Sequence, residues 1–478
     1  MYHEHPLRIM RYSFKNIWLL IFPLIRGATV IKFDPAGFYA WIQGAWLDIA
    51  IIGIILLFGF VQWYFSMITI TESEVIHKNG IFIKVTTTIP IENISAVTSE
   101  QLFFLIPLKA MTFRCDTRAG FFKSSDMKLL VTTKVGKELM SHIPKLEKDK
   151  SDMDFPEPTV LSVLLFSVFF SSGFSGAVYI ATFFFKGGDI AHNLVSEWVA
   201  KITETTEKIS EKMILRIPQA GIVVGMFFLT TWLLSFIVNL LRYLRFKVSA
   251  DRKYINIACG ITKRKEYRIR TDYINYTNLR QNLIMKICGA VSVNISCSGY
   301  ESSSRQLPVL LPMRKESNLG NGLEKIGISS RKRLDFRPKA SAFMTYIFMP
   351  CLMIVSVYLL YCLADKYIPQ LAELSYFLLV MAEIPLVWLM SVKIASLLKS
   401  GITIDGDKII VRCSEWTSFH TVIAEKKKVV SVEVSQTVFQ RITNKRCHVS
   451  IWFTGESKSK FTVKAIDVSD AEKICNLL

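Results

Sequence analysis

The chain has 478 residues, 51% of them hydrophobic and only 20% charged, with a formal net charge of +19. A mean hydropathy of +0.34 is more apolar than a soluble protein needs and points to a polytopic membrane protein. The positive charge invites a nucleic-acid partner. Its uneven distribution argues against one, as set out below.

From the start, MYHEHPLRIMRYSFKN lacks a small-residue cleavage signature after its apolar run and reads as a retained anchor. The apolar stretch IWLLIFPLI at 17–25 is short and ends on Arg26, so it tilts, re-enters or dips. With a clear span at 45–66 it forms a first transmembrane pair over 1–67. Residues 68–150 read as strands, with Asn79-Gly80 between two β-rich runs as a hairpin signal, and close on the helical segment 134–146. A second pair over 151–243 opens at DFPEP (154–158) and contains spans at 158–185 and 217–240. Its outer connection, 187–219, carries Ile190, Leu194, Trp198 and Ile202 at helical spacing. That pattern predicts an amphipathic helix on the outer leaflet or against a partner protein. Gly221 and Gly225 form a GxxxG suited to close helix packing within the bundle, or to a homodimer contact.

Residues 244–334 repeat the strand-rich plan, with Lys263, Arg264, Lys265, Arg268 and Arg270 on a predicted hairpin. A third pair, 335–399, opens at DFRPK (335–339) and has spans at 341–363 and 374–397. Residues 400–478 give the third strand-rich unit, with an Asp405-Gly406 turn and a Lys426-Lys427-Lys428 cluster. Its terminal helix has Asp467 or Ser469 as cap and Ala471, Ile474 and Leu477 on one face. About a dozen Lys and Arg fall in 68–150 and about twenty in 242–339. By the positive-inside rule the basic units and both termini are cytoplasmic, and the charge reports topology rather than nucleic acid. The nine cysteines include no CxxC pair, so neither disulfides nor zinc are expected.

A repeat ties the units together. Gln101, Gln281 and Gln436 each open an apolar loop followed by an alternating strand that ends at Gly120, Gly299 and Gly455. The expected fold class is therefore a multi-pass α-helical membrane protein with three cytoplasmic α+β domains, each an antiparallel β-roll or partly open barrel with a C-terminal helix. Two-helix anchors followed by such a domain, tandemly repeated, resemble bacterial membrane-anchored pleckstrin-homology-like domain proteins of the YdbS/YdbT type. The motif is matched by Gln281, Gly289, the strand 291–295 and Ser298-Gly299. It is matched less well at Gln101, where Pro107 and Lys109 stand near the glycine position, and at Gln436, where Asn444 does. His5-Pro6-Leu7 is similar to the family's start. The resemblance implies pleckstrin-homology-like barrels in all three units, no enzymatic activity and a bacterial cell-membrane location.

No phosphate loop, HExxH or GxSxG occurs, and the seven histidines lack ligand spacing, so no cofactor or metal is expected. Glu383 is the one acidic residue deep in a clear span. It is read as a protonated, hydrogen-bonded group, with a role in transport as the alternative. The basic clusters suit an anionic inner leaflet, each charge adding on the order of 1 kcal/mol of attraction. The expected function is a non-enzymatic membrane scaffold in envelope maintenance or stress resistance. Its units would bind lipid or another membrane or cytoplasmic protein, and self-association is a further expectation. A transporter using Glu383 and a lipid-modifying envelope enzyme are the rivals.

Overall fold

The computed structural model describes residues 1–10, 13, 35–81, 83–118, 126–142, 153–154, 158, 160–170, 219–251, 253–297, 309–315, 334–443, 445–455 and 459–478. Element order repeats three times. The first repeat runs β1 (Tyr2–His3), α1 (Pro35–Tyr64), β2 (Met67–Ile70), β3 (Glu74–Asn79), β4 (Val85–Pro90), β5 (Ile94–Leu102), β6 (Ala110–Thr117), β7 (Met127–Thr132) and α2 (Thr133–His142). The second runs β8 (Met153–Asp154), α3 (Val160–Phe170), α4 (Gln219–Tyr243), β9 (Lys247–Ala250), β10 (Tyr254–Cys259), β11 (Lys263–Arg270), β12 (Ile274–Asn282), α5 (Leu283–Ile287), β13 (Ala290–Cys297) and β14 (Val309–Lys315). The third runs α6 (Phe343–Tyr367), α7 (Ala372–Lys399), β15 (Gly401–Asp405), β16 (Lys408–Glu415), β17 (Ser418–Glu425), β18 (Val429–Ser435), α8 (Val438–Thr443), β19 (Arg446–Phe453), β20 (Lys460–Asp467) and α9 (Val468–Leu477).

Local chemistry explains the strands. In β10, Ile255 and Ile257 alternate into the core while Asn256 and Ala258 are half-buried, the period-two pattern of a strand with one inward face. The β3–β4 and β10–β11 turns are set by Gly80 (φ +112°) and Gly260 (φ +92°), where a Cβ would lie 1.9 Å and 2.2 Å from a backbone carbonyl oxygen. Only glycine tolerates that conformation and approach.

The segment leading into each helical stretch is clamped to the first long strand that follows it. Tyr2 pairs with Ile68, Asp154 with Ser249, and Phe336 forms an isolated bridge to Ile402. His5, in the lead-in that the sequence singles out, donates its backbone N–H to Leu130 O at 2.7 Å. Each helical excursion therefore leaves and returns at one strand pair.

The sheets do not respect the repeats. Their strand orders are β1-β2-β3-β4, β7-β6-β5-β11-β10-β9-β8, β14-β13-β12-β17-β16-β15 and β18-β19-β20. The β5 edge of the first repeat joins β11 of the second, and the β12 edge of the second joins β17 of the third. Cores cross these seams as well. Ala96, Ile410 and Ile423 enter the second repeat's core, and Tyr276 of the second repeat lies in the third's, its ring 5.7 Å from Phe453 and 5.5 Å from Phe461.

The expected multi-pass helical architecture is overturned. The protein is an α+β protein of three β-sheet domains. Among the described residues two helical segments, Ala340–Tyr367 and Leu378–Lys399, are long and apolar enough to cross a membrane. Among the described residues the other apolar helical stretches, Ala50–Tyr64 and Phe227–Tyr243, fall in the 10–17-residue class, short of the ~20 that a bilayer requires. The expected alternating topology, with both termini cytoplasmic, rests on six spans and is not supported by two. The stretch 14–34 and all of the outer connection 187–219 but Gln219 lie outside the described residues.

Tyr276 is 1% exposed. Tyr276→Ala is expected to cost about 3–5 kcal/mol, as for other buried large-to-small changes. The loss should appear as preferential protease cleavage within 400–478, although the substitution lies in the neighbouring repeat.

Candidate functional site

The recurring glutamine has one job in all three copies. The side-chain Nε2 of Gln101 donates to Ala110 O at 3.1 Å, that of Gln281 to Ala290 O at 2.8 Å, and that of Gln436 to Arg446 O at 2.9 Å. Each bond closes the apolar loop onto the first residue of the next strand. In two copies the preceding residue is left-handed: Gly289 at φ +61° and Lys109 at φ +50°. Lysine thus does in the first copy what glycine does in the second, at a steric cost. The motif holds the fold's loops; Ser298, Gly299 and Asn444 lie outside the described residues.

The basic hairpin lies on a seam. Glu100 of β5, 5% exposed, receives Lys263 at 2.8 Å, Arg114 at 3.2 Å and Lys265 at 3.3 Å. Burial alone would raise the Glu100 carboxyl, but Lys265, Lys263 and Arg114 hold it below the usual carboxylate range. Lys265 also donates to the Tyr267 hydroxyl at 2.9 Å. Arg268 donates to Asn256 Oδ1 at 3.1 Å and Met140 O at 2.6 Å, and Arg270 to Glu92 O at 2.7 Å. Arg264 is exposed, opposite Gln101 in register. Four of these five cations are therefore engaged by protein.

The Lys426-Lys427-Lys428 cluster of the third repeat forms a 3-10 turn between β17 and β18. Lys426 donates to Leu477 O at 3.1 Å, Lys427 pairs with Glu425 at 2.7 Å, and Lys428 reaches Asp272 O of the second repeat at 3.5 Å. Inside this second seam sits a buried polar chain. Asn278 Nδ2 lies 3.0 Å from His420 Nδ1, and His420 Nε2 lies 3.0 Å from Ser418 Oγ, which donates to Glu415 O at 3.3 Å. These contacts fit a neutral ring that accepts at Nδ1 and donates at Nε2. Burial, aided by the nearby Arg280 and Lys393 charges, pushes His420 down to about 3.

A cavity of about 300 Å³ lies where α6 and α7 meet the third repeat. Tyr346 and Pro350 of α6, Phe461 of β20, Lys393, Lys464 and Trp416 are among its lining. Lys393 Nζ donates to Ser414 Oγ at 3.2 Å, and the Tyr346 hydroxyl to Lys464 O at 3.0 Å. Trp416, at the β16–β17 turn, is 69% exposed. Apolar walls with a few convergent cations suit an anionic group attached to an apolar body. The lining also includes Glu415, which tempers the positive charge, and Lys460, paired with Glu433 at 2.7 Å.

Sequence reasoning missed this site because Lys393 looks like a lysine near a helix end and Lys464 like a strand residue. The available signal was a cation six residues inside an apolar helix. Glu383 lies half-buried on α7, ten residues before Lys393 and therefore about 15 Å along the helix. The structure does not bring it to the cavity. Gly221 and Gly225 lie on α4, where their packing is outside the described residues. Among the described residues no cluster of His, Cys, Asp and Glu could hold a metal.

A family model described as bacterial PH domain matches the chain three times, over residues 25–143, 205–321 and 353–478. No curated protein and no solved structure matches it.

Two tests address the seams. Glu100→Gln leaves cations without their anion and is expected to cost on the order of 3 kcal/mol, the lower end for a broken buried pair because Lys263 is partly solvated. A change within about 0.5 kcal/mol in urea unfolding would mean that the hairpin behaves as free surface. His420 has a folded pKa below its unfolded value. Its contribution is therefore complete above about pH 6.5 and is lost as pH falls toward about 3. In His420→Gln the loss of stability between these values should be shallower.

Proposed function

The chain belongs to the bacterial PH domain family, and on that premise we propose that it is a membrane-associated binding protein holding an anionic lipid headgroup beneath its apolar helix pair. Membership in the family points to protein or lipid binding and to a generally non-catalytic fold. The observation that carries the lipid reading is the cavity itself: Lys393, Lys464 and Trp416 converge at the foot of α6 and α7.

Three features support it. Only 11% and 17% of the most apolar windows of the two long helices are buried within the fold, so their side chains, such as Phe348 and Leu360, face outward. A core helix of a soluble domain would bury that face, whereas hydrocarbon accepts it without cost. The exposed Trp416 suits the bilayer interface, where an amphipathic ring is stable. The lysines offer a headgroup the attraction that an anionic leaflet provides at its surface. On this reading residues 335–399 form an anchor and 400–478 its binding domain. Surface cations such as Arg264 and Lys427 add general attraction to the leaflet.

Native mass spectrometry of the detergent-solubilised full chain with phosphatidylglycerol and phosphatidylcholine tests the proposal. Retention of phosphatidylglycerol should exceed that of phosphatidylcholine by about tenfold, or 1.4 kcal/mol. The paired substitutions Lys393→Gln and Lys464→Gln should remove the difference while leaving thermal unfolding in place. Equal retention of both lipids by the native chain would overturn it.

A further inference from the structure

The two seams obey one rule. In the first, Gln101 stands opposite Arg264, six residues before the end of β11; in the second, Gln281 stands opposite Phe419, six residues before the end of β17. Both are antiparallel. The turns beside them also interlock alike. Tyr273 OH donates to Glu92 O at 3.3 Å, and Lys428 Nζ to Asp272 O at 3.5 Å. In each case the third residue of one repeat's 3-10 turn reaches the second residue of the preceding repeat's turn.

One edge of each kind is left over. Among the described residues β18 pairs only with β19, and β4 only with β3. Their counterparts show what the missing neighbour does. Seven of nine residues in β5 are buried and none in β18, where Val430 is 68% and Val434 44% exposed. On β4, Val85 is 56% exposed. An edge with bare N–H and C=O groups and outward valines is a template for another strand.

We propose that β18 of one molecule pairs with β4 of a second copy of this chain, continuing the seam head to tail. Of the possible occupants, a second copy is the one whose β4 edge matches those already seated at both internal seams. The shared register places Gln436 opposite Lys84, Val434 opposite Thr86 and Val432 opposite Thr88, with Asn93 reaching Lys427 O. The contact is heterologous, so successive copies build a ring or an open filament.

The full chain in detergent is prepared as two separate variants, Val434→Cys and Thr86→Cys, which are then mixed and oxidised. The background from native cysteines is set by each variant alone. Mixing should give about fivefold more cross-linked dimer than either variant alone or than Val434→Cys with Val85→Cys, because a one-residue slip turns the side chain to the other face. Light scattering should show mass rising with concentration. A chain that stays monomeric, or cross-linking no greater than in the single variants, overturns the proposal. So does protection of Val434→Cys from alkylation in native membranes without the Thr86→Cys cross-link, which would place a different protein on the edge.

Discussion

A strand at the rim of a sheet carries a row of backbone donors and acceptors that must find water or another strand. Each repeat here divides its strands between two half-sheets and so exposes such a row on the last strand of one and the first of the next. Joining β5 to β11 and β12 to β17 satisfies four of these edges within one chain. The rest follows from that pairing. The cores share side chains across repeats, as Tyr276 does with Phe453 and Phe461, and the three domains form one continuous β body.

Backbone pairing also decides what the charges do. Bringing β11 against β5 adds Lys263 and Lys265 to Arg114 of β6 around Glu100 and sends Arg268 and Arg270 to carbonyls of the first repeat. A hairpin that looks like a lipid-facing basic patch thereby becomes a clamp between domains. The second seam does the same work with a neutral His420 and the Tyr276 ring. Protonation of that ring would place charge beside Arg280 and Lys393, which is why acid weakens this seam.

Much of the repeat plan was legible in the residues. The glutamines at 101, 281 and 436 mark equivalent loops because one side-chain hydrogen bond recurs, and period-two alternation located the strands that follow. Hydropathy picked out six apolar stretches, of which two are long and apolar enough to cross a membrane among the described residues. The seams were hidden because their partners are far apart: Glu100 and Lys263 are separated by a helical excursion, and nothing local in KRKEYRIR announces an anion on another domain. The cavity was hidden for a related reason. Lys393, Trp416 and Lys464 lie on three elements that only the folded chain brings together.

The clamps and the seams together give the architecture its functional consequence. Because each lead-in segment pairs with the strand that ends the excursion, the α6–α7 pair leaves and re-enters the β body at Phe336 and Ile402. Its foot is therefore tied to the third repeat, where the cavity lies. Strand pairing at the two seams joins the three repeats, the first carrying β4 and the third β18. On the proposed function, a headgroup seated under the helix pair would orient the third repeat and, through the seams, the repeats joined to it. If each molecule in a membrane is held in that fixed orientation, β18 and β4 of neighbours lie in a common layer, and the encounter that pairs them becomes a search in two dimensions rather than three.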